Sequence, residues 1–347
     1  MPEPLKEETM PEPLPADLSV LMEIVGGFER SAVVLGAVQL DLFSPLGHGP
    51  ATAAEVARQV GLPVRGVERV LNACAALGFV TKEGQCYRNS PLADAFFVKG
   101  KPGYMGNMIK QTTDRYSAWG KLAEAVTQDK PVLPLTGAEL FNASPEVLDN
   151  YVHGLFDMGK GLAQRICSLV DLSECRSLLD VAGGSGVYSI IFCRQFPQLQ
   201  ATVFDLPPIL QRTQQIIARE GMADHVAVRA GNYFTDDFGS GFDAILLSNM
   251  LQTEGRQTCR MVLKKAFVAL NPGGKILIHG IMPNPDRVSP VQPVLFSLFM
   301  MLVFPEGEAY PGEEIIGWLS ETGFVEGQKL ALPPPAFTSL VVARRPE

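Results

Sequence analysis

The sequence has 347 residues, of which 46% are apolar and 19% are charged, so it can fold around a sizeable core. Its net charge of −8 excludes binding to nucleic acid or anionic lipid through overall charge. The longest apolar run, residues 294–304, is too short for a membrane span of about 20 residues, and six cysteines without Cys-x-x-Cys spacing predict a reduced, cytoplasmic protein.

The N-terminal part of the chain has the pattern of a tail followed by a winged helix. Residues 1–16 contain five prolines, which predicts a flexible tail. Helical periodicity then begins, and Thr52 and Glu55 have the spacing of a capping box at the start of a later helix. A hairpin pattern at residues 79–90 follows the helices. We therefore predict a winged-helix domain over residues 17–100.

Residues 101–170 continue as helices, interrupted around Pro131 and Pro134, and from residue 175 onward short apolar strands alternate with helical segments. This alternation is typical of a parallel sheet covered by helices on both faces, as in Rossmann-like α/β domains. The last two strand candidates are joined by a short Pro-rich connection, which allows an antiparallel hairpin at the C-terminus. The predicted strands are residues 177–182, 201–206, 226–231, 243–249, 275–283, 324–332 and 337–345.

A glycine-rich turn follows the first of these strands, with the sequence Asp180-Val181-Ala182-Gly183-Gly184-Ser185-Gly186. Glycines at a strand-to-helix turn allow a ligand to approach the backbone closely. Asp205 ends the next strand, 19 residues after Gly186, where a carboxylate can accept hydrogen bonds from both ribose hydroxyls. The pattern predicts an adenosine-bearing ligand, either a dinucleotide or S-adenosylmethionine. The acid at Asp180 and the lack of a third glycine after Gly186 favour S-adenosylmethionine.

Four strings of the sequence resemble the two-domain class I S-adenosylmethionine-dependent O-methyltransferases, a family with plant phenolic, hydroxyindole and bacterial natural-product members. They are LLDVAGGSG at 178–186, FDLP at 204–207, GNYF at 231–234 and NPGGKILI at 271–278. The resemblance implies that residues 17–100 form a homodimerisation domain, that residues 101–170 contribute to the acceptor pocket, and that residues 171–347 bind the cofactor. It also implies that S-adenosylmethionine is converted to S-adenosylhomocysteine without a metal ion.

By position, the resemblance assigns a cofactor site to the loops after the first four strands. The methionine portion would lie against the glycines of the loop, the ribose against Asp205, and the adenine amino group near Asn232. Ala182 stands in place of the family's usual first glycine. The cofactor-binding residues predicted in this way are Asp180, Gly183, Gly184, Gly186, Asp205, Leu206, Asn232, Tyr233, Ser248 and Asn249.

The main departure from the family concerns the general base. Members usually read Leu-His-Asp-Trp after the fourth strand, and that His accepts the proton of the acceptor hydroxyl. This chain reads Leu251-Gln252-Thr253-Glu254 there, and an amide cannot act as a base near pH 7. The Glu that orients the family's His is replaced by His279, and a second family Glu corresponds to Glu308. Gln252, His279 and Glu308 are therefore the candidate catalytic residues.

Three interpretations of this departure are open. In the first, His279 acts as the base and Glu308 polarises it. In the second, the acceptor needs no base, because a phenol of lowered pKa, a thiolate, an amine or an activated carbon reacts by positioning alone. In the third, the protein binds the cofactor but no longer methylates. A DNA-binding regulator is a remote alternative, because the winged-helix segment carries little net positive charge.

The acceptor pocket is expected between the helix before the glycine loop and a Met- and Phe-rich helix near residue 300. Such walls suit a flat, apolar, aromatic acceptor, and we predict in-line methyl transfer to its hydroxyl oxygen. The same residues at helical spacing are equally typical of core packing. The predicted pocket residues are Tyr151, Leu155, Met158, Phe296 and Met300. The sequence shows no His-x-x-x-His or similar spacing that would indicate a metal site.

Overall fold

The computed structural model describes residues 13–133, 142, 144–333 and 337–347, and the chain divides into two compact units between Gly120 and Lys121. The predicted tail at residues 1–16 therefore lies mostly outside the described residues. The predicted segment 101–170 is shared between the two units. Of the helices that the structure describes, none is long and apolar enough to cross a membrane.

The first unit is a small helical domain with a three-stranded antiparallel sheet, in which the last strand along the chain lies between the other two. Helices followed by a hairpin of the last two strands give the predicted winged-helix arrangement. The helices are α1 (Leu18–Val25), α2 (Gly27–Gln39), α3 (Phe43–Leu46), α4 (Ala53–Val60), α5 (Val64–Ala76), α6 (Pro91–Phe96) and α7 (Gly106–Trp119), and the strands are β1 (Ala51–Thr52), β2 (Val80–Glu83) and β3 (Cys86–Asn89).

Local sequence signals explain where helix α4 begins and ends. Thr52 Oγ1 accepts a hydrogen bond from the Glu55 backbone N–H, and the Glu55 carboxylate accepts one from the Thr52 N–H at 2.7 Å, which confirms the predicted capping box. Gly61 then adopts a left-handed φ of 71° at the C-terminal end, where glycine costs little. Packing between α2, α4, α5 and the hairpin buries a core that includes Leu42 and Leu71 completely.

Helix α1 differs from the other helices of this unit because none of its eight residues is buried within the chain. Its side chains are mostly apolar, and five of them are more than half exposed. An apolar helix face of this size on a folded unit usually marks a contact with another protein surface. The exposed apolar residues of α1 are Leu18, Leu21, Met22, Ile24 and Val25.

The second unit contains a seven-stranded sheet with helices on both faces. Its helices are α8 (Leu122–Gln128), α9 (Pro145–Leu169), α10 (Val187–Gln195), α11 (Pro207–Arg219), α12 (Arg256–Ala269), α13 (Val291–Val303) and α14 (Gly312–Thr322). Its strands are β4 (Ser177–Val181), β5 (Gln200–Asp205), β6 (Val226–Ala230), β7 (Phe242–Ser248), β8 (Leu270–Gly280), β9 (Val325–Ala331) and β10 (Ser339–Arg344).

The strand order is β6-β5-β4-β7-β8-β10-β9, with β4 to β8 parallel and β10 antiparallel to both of its neighbours. This order confirms the predicted Rossmann-like sheet and its C-terminal antiparallel hairpin. The chain winds outward from β4 through β5 to β6, and then returns to the other side of β4 through β7. A crevice forms at the carboxyl ends of the strands where the direction of winding changes, and ligands of open α/β sheets bind there.

The two faces of the sheet bury separate apolar clusters, as strand alternation requires. Leu178 packs on one face with residues of α9, α10 and α11, and Leu179 packs on the other face with residues of α12 and α14. Because both faces of β4 are covered, its carboxyl end is a rigid platform for the loop that follows.

Candidate active site

A cavity of about 1130 Å³ opens at the carboxyl edge of the sheet, within the second unit. The loops after β4, β5, β6 and β7 form one side of it, and helix α9 and the segment after α13 form the other. The cavity therefore lies at the position that the sheet topology predicts for a ligand.

The glycine loop between β4 and α10 turns through left-handed backbone at Ala182 (φ 53°), Gly184 (φ 55°) and Gly186 (φ 72°). A Cβ atom on Gly183 would lie 2.7 Å from the Asp180 carboxyl carbon, so a side chain does not fit there. Ala182 adopts a conformation that costs a non-glycine residue about 1 kcal/mol, which the family's usual glycine avoids. The loop thus presents backbone to the cavity, as a closely bound ligand requires.

Asp205, at the end of β5, is bonded to the same loop. Its Oδ2 accepts a hydrogen bond from the Gly184 N–H at 2.8 Å, and its Oδ1 accepts one from the Leu206 N–H at 2.7 Å. The Thr213 hydroxyl on α11 donates to the Gly184 carbonyl at 2.6 Å. Burial raises the pKa of Asp205 to about 6, although the two N–H groups act in the opposite direction. Asp205 and Leu206 both line the cavity.

Asp180 and Gly186 shape the loop from beneath and are not among the residues that line the cavity. Asp180 is fully buried, and Ser189 Oγ on α10 donates a hydrogen bond to its Oδ2 at 2.8 Å. Its Oδ1 has no partner among the described residues. Burial raises the pKa of Asp180 to about 7. Gly186 is the N-cap residue of α10, so it sets the direction in which the helix leaves the loop.

The loop after β6 brings Asn232 and Tyr233 to the cavity. Asn232 Oδ1 accepts a hydrogen bond from the Phe234 N–H at 2.9 Å. The Tyr233 hydroxyl donates to Glu254 Oε1 at 2.5 Å, and Glu254 itself lines the cavity. Sequence reasoning did not select Glu254 as a site residue. The sequence feature that could have indicated Glu254 is a carboxylate at the position where the family usually has Trp.

The end of β7 places Ser248 and Asn249 in the cavity wall, whereas His279 lies behind that wall. His279 lies on β8, where it is paired with Ser248 of the neighbouring strand β7, and it is only 2% exposed. Its Nδ1 is 3.0 Å from Ser248 Oγ and 3.4 Å from the Tyr188 hydroxyl, and its Nε2 has no partner among the described residues. Burial lowers the pKa of His279 to about 4. The imidazole is therefore neutral near pH 7 and is screened from the cavity by Ser248 and Tyr188.

Gln252 connects the turn after β7 to the end of β8, and its side chain does not line the cavity. Its Oε1 accepts a hydrogen bond from the Ile281 N–H at 3.3 Å, and its Nε2 donates to Asn249 Oδ1 at 3.4 Å. Its backbone carbonyl accepts from the Glu308 N–H at 3.0 Å. At the position of the family's histidine, the amide is thus part of the framework of the site.

Glu308 lies in a surface ion cluster outside the cavity. Its carboxylate accepts hydrogen bonds from Arg256 at 2.7 and 3.0 Å and from Arg287, and both arginines also bind Glu314. The expectation that Glu308 polarises His279 is not supported, because the carboxylate is held by two arginines at the protein surface. Polarity and spacing in the sequence do not distinguish such an ion cluster from a catalytic carboxylate.

The apolar wall of the cavity comes from helix α9 and from the segment after α13. The predicted residues of α9, namely Tyr151, Leu155 and Met158, all line the cavity. Phe296 and Met300 of α13 do not, and their places are taken by Phe304 and Pro305 just beyond the helix. Almost every residue of α13 is apolar, so the sequence does not show which of its faces points toward the site.

Acidic side chains give the cavity its electrostatic character. Among the residues that the structure describes, the lining contains Asp205, Asp236, Glu254 and Glu306 but no Lys, Arg or His. A concave surface with carboxylates alone favours a ligand with positive charge. Within the same described residues, no cluster of three or more His, Cys, Asp or Glu has the geometry to hold a metal ion.

Comparison with known proteins gives matches over nearly the whole chain. Residues 119–325 match the O-methyltransferase domain, and residues 22–99 match the O-methyltransferase dimerisation domain. The chain is 33% identical to 3-hydroxy-5-methyl-1-naphthoate 3-O-methyltransferase of Streptomyces sahachiroi, over 93% of this chain and 94% of that enzyme. It is 30% identical to the tetracenomycin polyketide synthesis 8-O-methyltransferase of Streptomyces glaucescens, over 94% and 96% of the two chains.

The chain also resembles a solved structure of a methyltransferase. The crystal structure of human N-acetylserotonin methyltransferase in complex with S-adenosylmethionine superimposes with a TM-score of 0.84 at 25% sequence identity, covering 97% of this chain and 100% of that one. These comparisons agree with the motifs in the sequence. The chain therefore belongs to the two-domain S-adenosylmethionine-dependent O-methyltransferase family and is a methyltransferase.

Proposed function

We propose that the protein transfers a methyl group from S-adenosylmethionine to a hydroxyl oxygen of a small, flat, mostly apolar aromatic metabolite. The observation that carries this proposal is the cavity itself, in which the glycine loop and Asp205 on one side face the apolar side chains of α9 on the other. A donor and an acceptor can therefore bind side by side in one cavity.

The donor side of the cavity fits the cofactor. The exposed backbone at Gly183 and Gly184 would lie against the methionine portion, and the fixed carboxylate of Asp205 would accept hydrogen bonds from the ribose hydroxyls. When bound, S-adenosylmethionine supplies a methyl group on a positively charged sulfur atom. The carboxylates that line the cavity, with no cation among its described residues, favour that positive charge.

The acceptor side would hold a planar apolar molecule. A Cβ atom on Gly184 would lie 3.1 Å from Leu155 Cδ1, so Leu155 stands where the glycine loop meets the apolar wall. Tyr151 and Met158 extend that wall along α9, and Phe304 faces it from the segment after α13. Aligning the acceptor atom with the methyl group in this way supplies much of the rate of an in-line transfer.

We further propose that the reaction does not use a histidine base within the cavity. The buried, weakly basic imidazole of His279 lies behind Ser248 and Tyr188, which supports an acceptor that ionises readily or needs no deprotonation. The same observation supports transfer to carbon, sulfur or nitrogen as the second candidate.

These possibilities are separated by an assay with labelled methyl donor. The acceptors tested are phenols of graded pKa, thiols, amines and activated carbons. Transfer to weakly acidic alcohols that stops in a His279→Asn variant would contradict the proposal.

The cofactor part of the proposal is tested by calorimetry. S-adenosylmethionine and S-adenosylhomocysteine should bind, and NADH should not. Asp205→Ala should weaken binding by about 10-fold or more, the effect of losing hydrogen bonds to a charged group. Asp237→Ala, which removes an exposed carboxylate outside the cavity lining, is the matched control and should leave affinity unchanged. Binding of NADH in place of the two sulfur nucleosides would refute the proposal.

We also propose that the protein is a homodimer formed through its first unit. The match to a dimerisation domain and the exposed apolar face of α1 support this assembly. Light scattering after gel filtration should give twice the chain mass for the natural protein. Leu21→Glu in the middle of α1 should shift it toward the monomer, whereas Glu23→Gln on the same helix should not. A monomeric natural protein would contradict the proposal.

A further inference from the structure

We propose that Glu254 recognises the adenine amino group of the donor and makes the site specific for adenosine over its 6-oxo analogue. This inference rests on the proposed function, because it concerns the same cofactor. Among the lining carboxylates without a role so far, namely Asp236, Glu254 and Glu306, Glu254 is the least exposed.

The direction in which the donor lies follows from the order of its parts. The molecule is a linear chain of amino acid, sulfur, ribose and adenine. If the amino-acid end lies on the loop after β4 and the ribose at Asp205 after β5, the base must continue toward the loop after β6, the next strand in the sheet. That loop brings Asn232 and Tyr233 to the cavity.

Glu254 reaches this region from the opposite side, since it follows the turn after β7. The Tyr233 hydroxyl donates a hydrogen bond to Glu254 Oε1 at 2.5 Å. The Thr253 hydroxyl is 3.3 Å from the same oxygen, but it donates its proton to the Met250 carbonyl at 2.8 Å. Glu254 Oε2 has no hydrogen bond among the described residues. One carboxylate oxygen is thus fixed by Tyr233, and the other can accept a hydrogen bond from a ligand.

The other acceptors near the loop after β6 are already engaged. Asn232 Oδ1 accepts from the Phe234 N–H at 2.9 Å. Asp236 accepts from the Asn232 N–H at 2.9 Å and from the Thr235 hydroxyl at 2.9 Å, and its side chain is exposed. Glu254 is more enclosed, and burial raises its pKa. A half-buried carboxylate with an unused oxygen gains most from a ligand N–H donor.

An exocyclic amino group donates hydrogen bonds, whereas a 6-oxo group only accepts them. Glu254 should therefore favour S-adenosylhomocysteine over S-inosylhomocysteine, in which the amino group is replaced by oxygen. A glutamine at this position carries both an acceptor and a donor, so it should accommodate either base. Glu254→Gln is therefore expected to remove the discrimination while keeping the size and shape of the side chain.

The experiment is calorimetric titration of both compounds into the full chain. The natural protein should bind S-adenosylhomocysteine about 10-fold or more tightly than S-inosylhomocysteine, the effect of one hydrogen bond to a charged group. Glu254→Gln should bind the two within about 3-fold of each other, a difference below that of one such bond. Asp237→Asn, which neutralises an exposed carboxylate outside the cavity lining, is the matched control and should retain the natural preference.

A second measurement uses pH. Affinity for S-adenosylhomocysteine should fall as pH decreases through the raised pKa of Glu254, and the Glu254→Gln variant should lack this component. If Glu254→Gln does not fold, Tyr233→Phe serves instead, since it frees the carboxylate from its anchor and should reduce the preference for the amino compound. Unchanged discrimination in a folded Glu254→Gln variant would overturn the inference. If the natural protein binds neither compound, the proposed function itself fails.

Discussion

Because His279 is buried, the free energy of unfolding should depend on pH in a way that can be calculated from the structure. Its pKa is about 4 in the folded protein, whereas an unfolded histidine titrates near 6.5. At pH 5 the unfolded chain binds a proton at this residue and the folded chain does not, so protons favour unfolding. The contribution of His279 to the free energy of unfolding is therefore complete above pH 6.5 and decreases as pH falls toward 4. Between pH 7.5 and pH 5.0 the loss amounts to about 2 kcal/mol.

The assay compares the natural residue with His279→Asn, whose amide has no titration in this range and places polar atoms near the position of Nδ1. Asp180 and Asp205, whose pKa values burial raises, change stability in the opposite sense over the same range. Because both proteins contain them, their effect cancels in the difference. Urea denaturation is followed through Trp318, which is buried in the second unit, in a Trp119→Phe background.

The free energy of unfolding of the natural protein should fall by about 2 kcal/mol relative to His279→Asn when the pH changes from 7.5 to 5.0. The asparagine variant is expected to be less stable at both pH values, and only the change in the difference is diagnostic. A difference that stays constant within about 0.5 kcal/mol, less than half of one pKa unit, would refute the buried, weakly basic imidazole. In that case His279 would again be a candidate for the general base.

Four other substitutions test the framework of the two units. Gly184→Ala should destabilise the protein by about 1–2 kcal/mol and weaken binding of S-adenosylhomocysteine, because alanine is strained at a φ of 55°. Gly161→Ala, in open space on α9, should instead stabilise the protein by about 0.5–1 kcal/mol, and equal melting temperatures of the two variants would contradict this reasoning. Thr52→Ala should cost the first unit about 1 kcal/mol in calorimetry by removing the cap that pairs with Glu55, and no loss would show that the cap is dispensable. Glu308→Gln should cost less than about 1 kcal/mol, and the loss should disappear in high salt; a larger, salt-independent loss would argue against a surface ion cluster.

Local signals in the sequence predicted much of the fold. The strands of the second unit have alternating or continuous apolar residues between turn residues, and the spacing of Thr52 and Glu55 marks a helix start that the structure confirms. The juxtaposition of the glycine loop and Asp205 could be predicted, because both follow directly from the ends of adjacent parallel strands.

The candidate catalytic residues were harder to place, because their surroundings depend on contacts between distant segments. His279 lies behind the wall of the cavity since strand pairing sets it directly beside Ser248, 31 residues earlier in the chain. Glu308 is held by Arg256 across 52 residues, and no local pattern indicates that pairing. Glu254 could not be singled out from the sequence, because it lies two residues after Gln252 in a motif that departs from the family at several positions.

The raised pKa values of Asp180 and Asp205 have a consequence for how the donor binds. With pKa values of about 7 and about 6, these carboxyls are partly protonated at neutral pH when the cavity holds no cation. A sulfonium nearby would favour their ionised forms, so binding should expel protons into the solvent. The heat of binding would then vary with the ionisation enthalpy of the buffer, and less so for the uncharged thioether that remains after the methyl group has left.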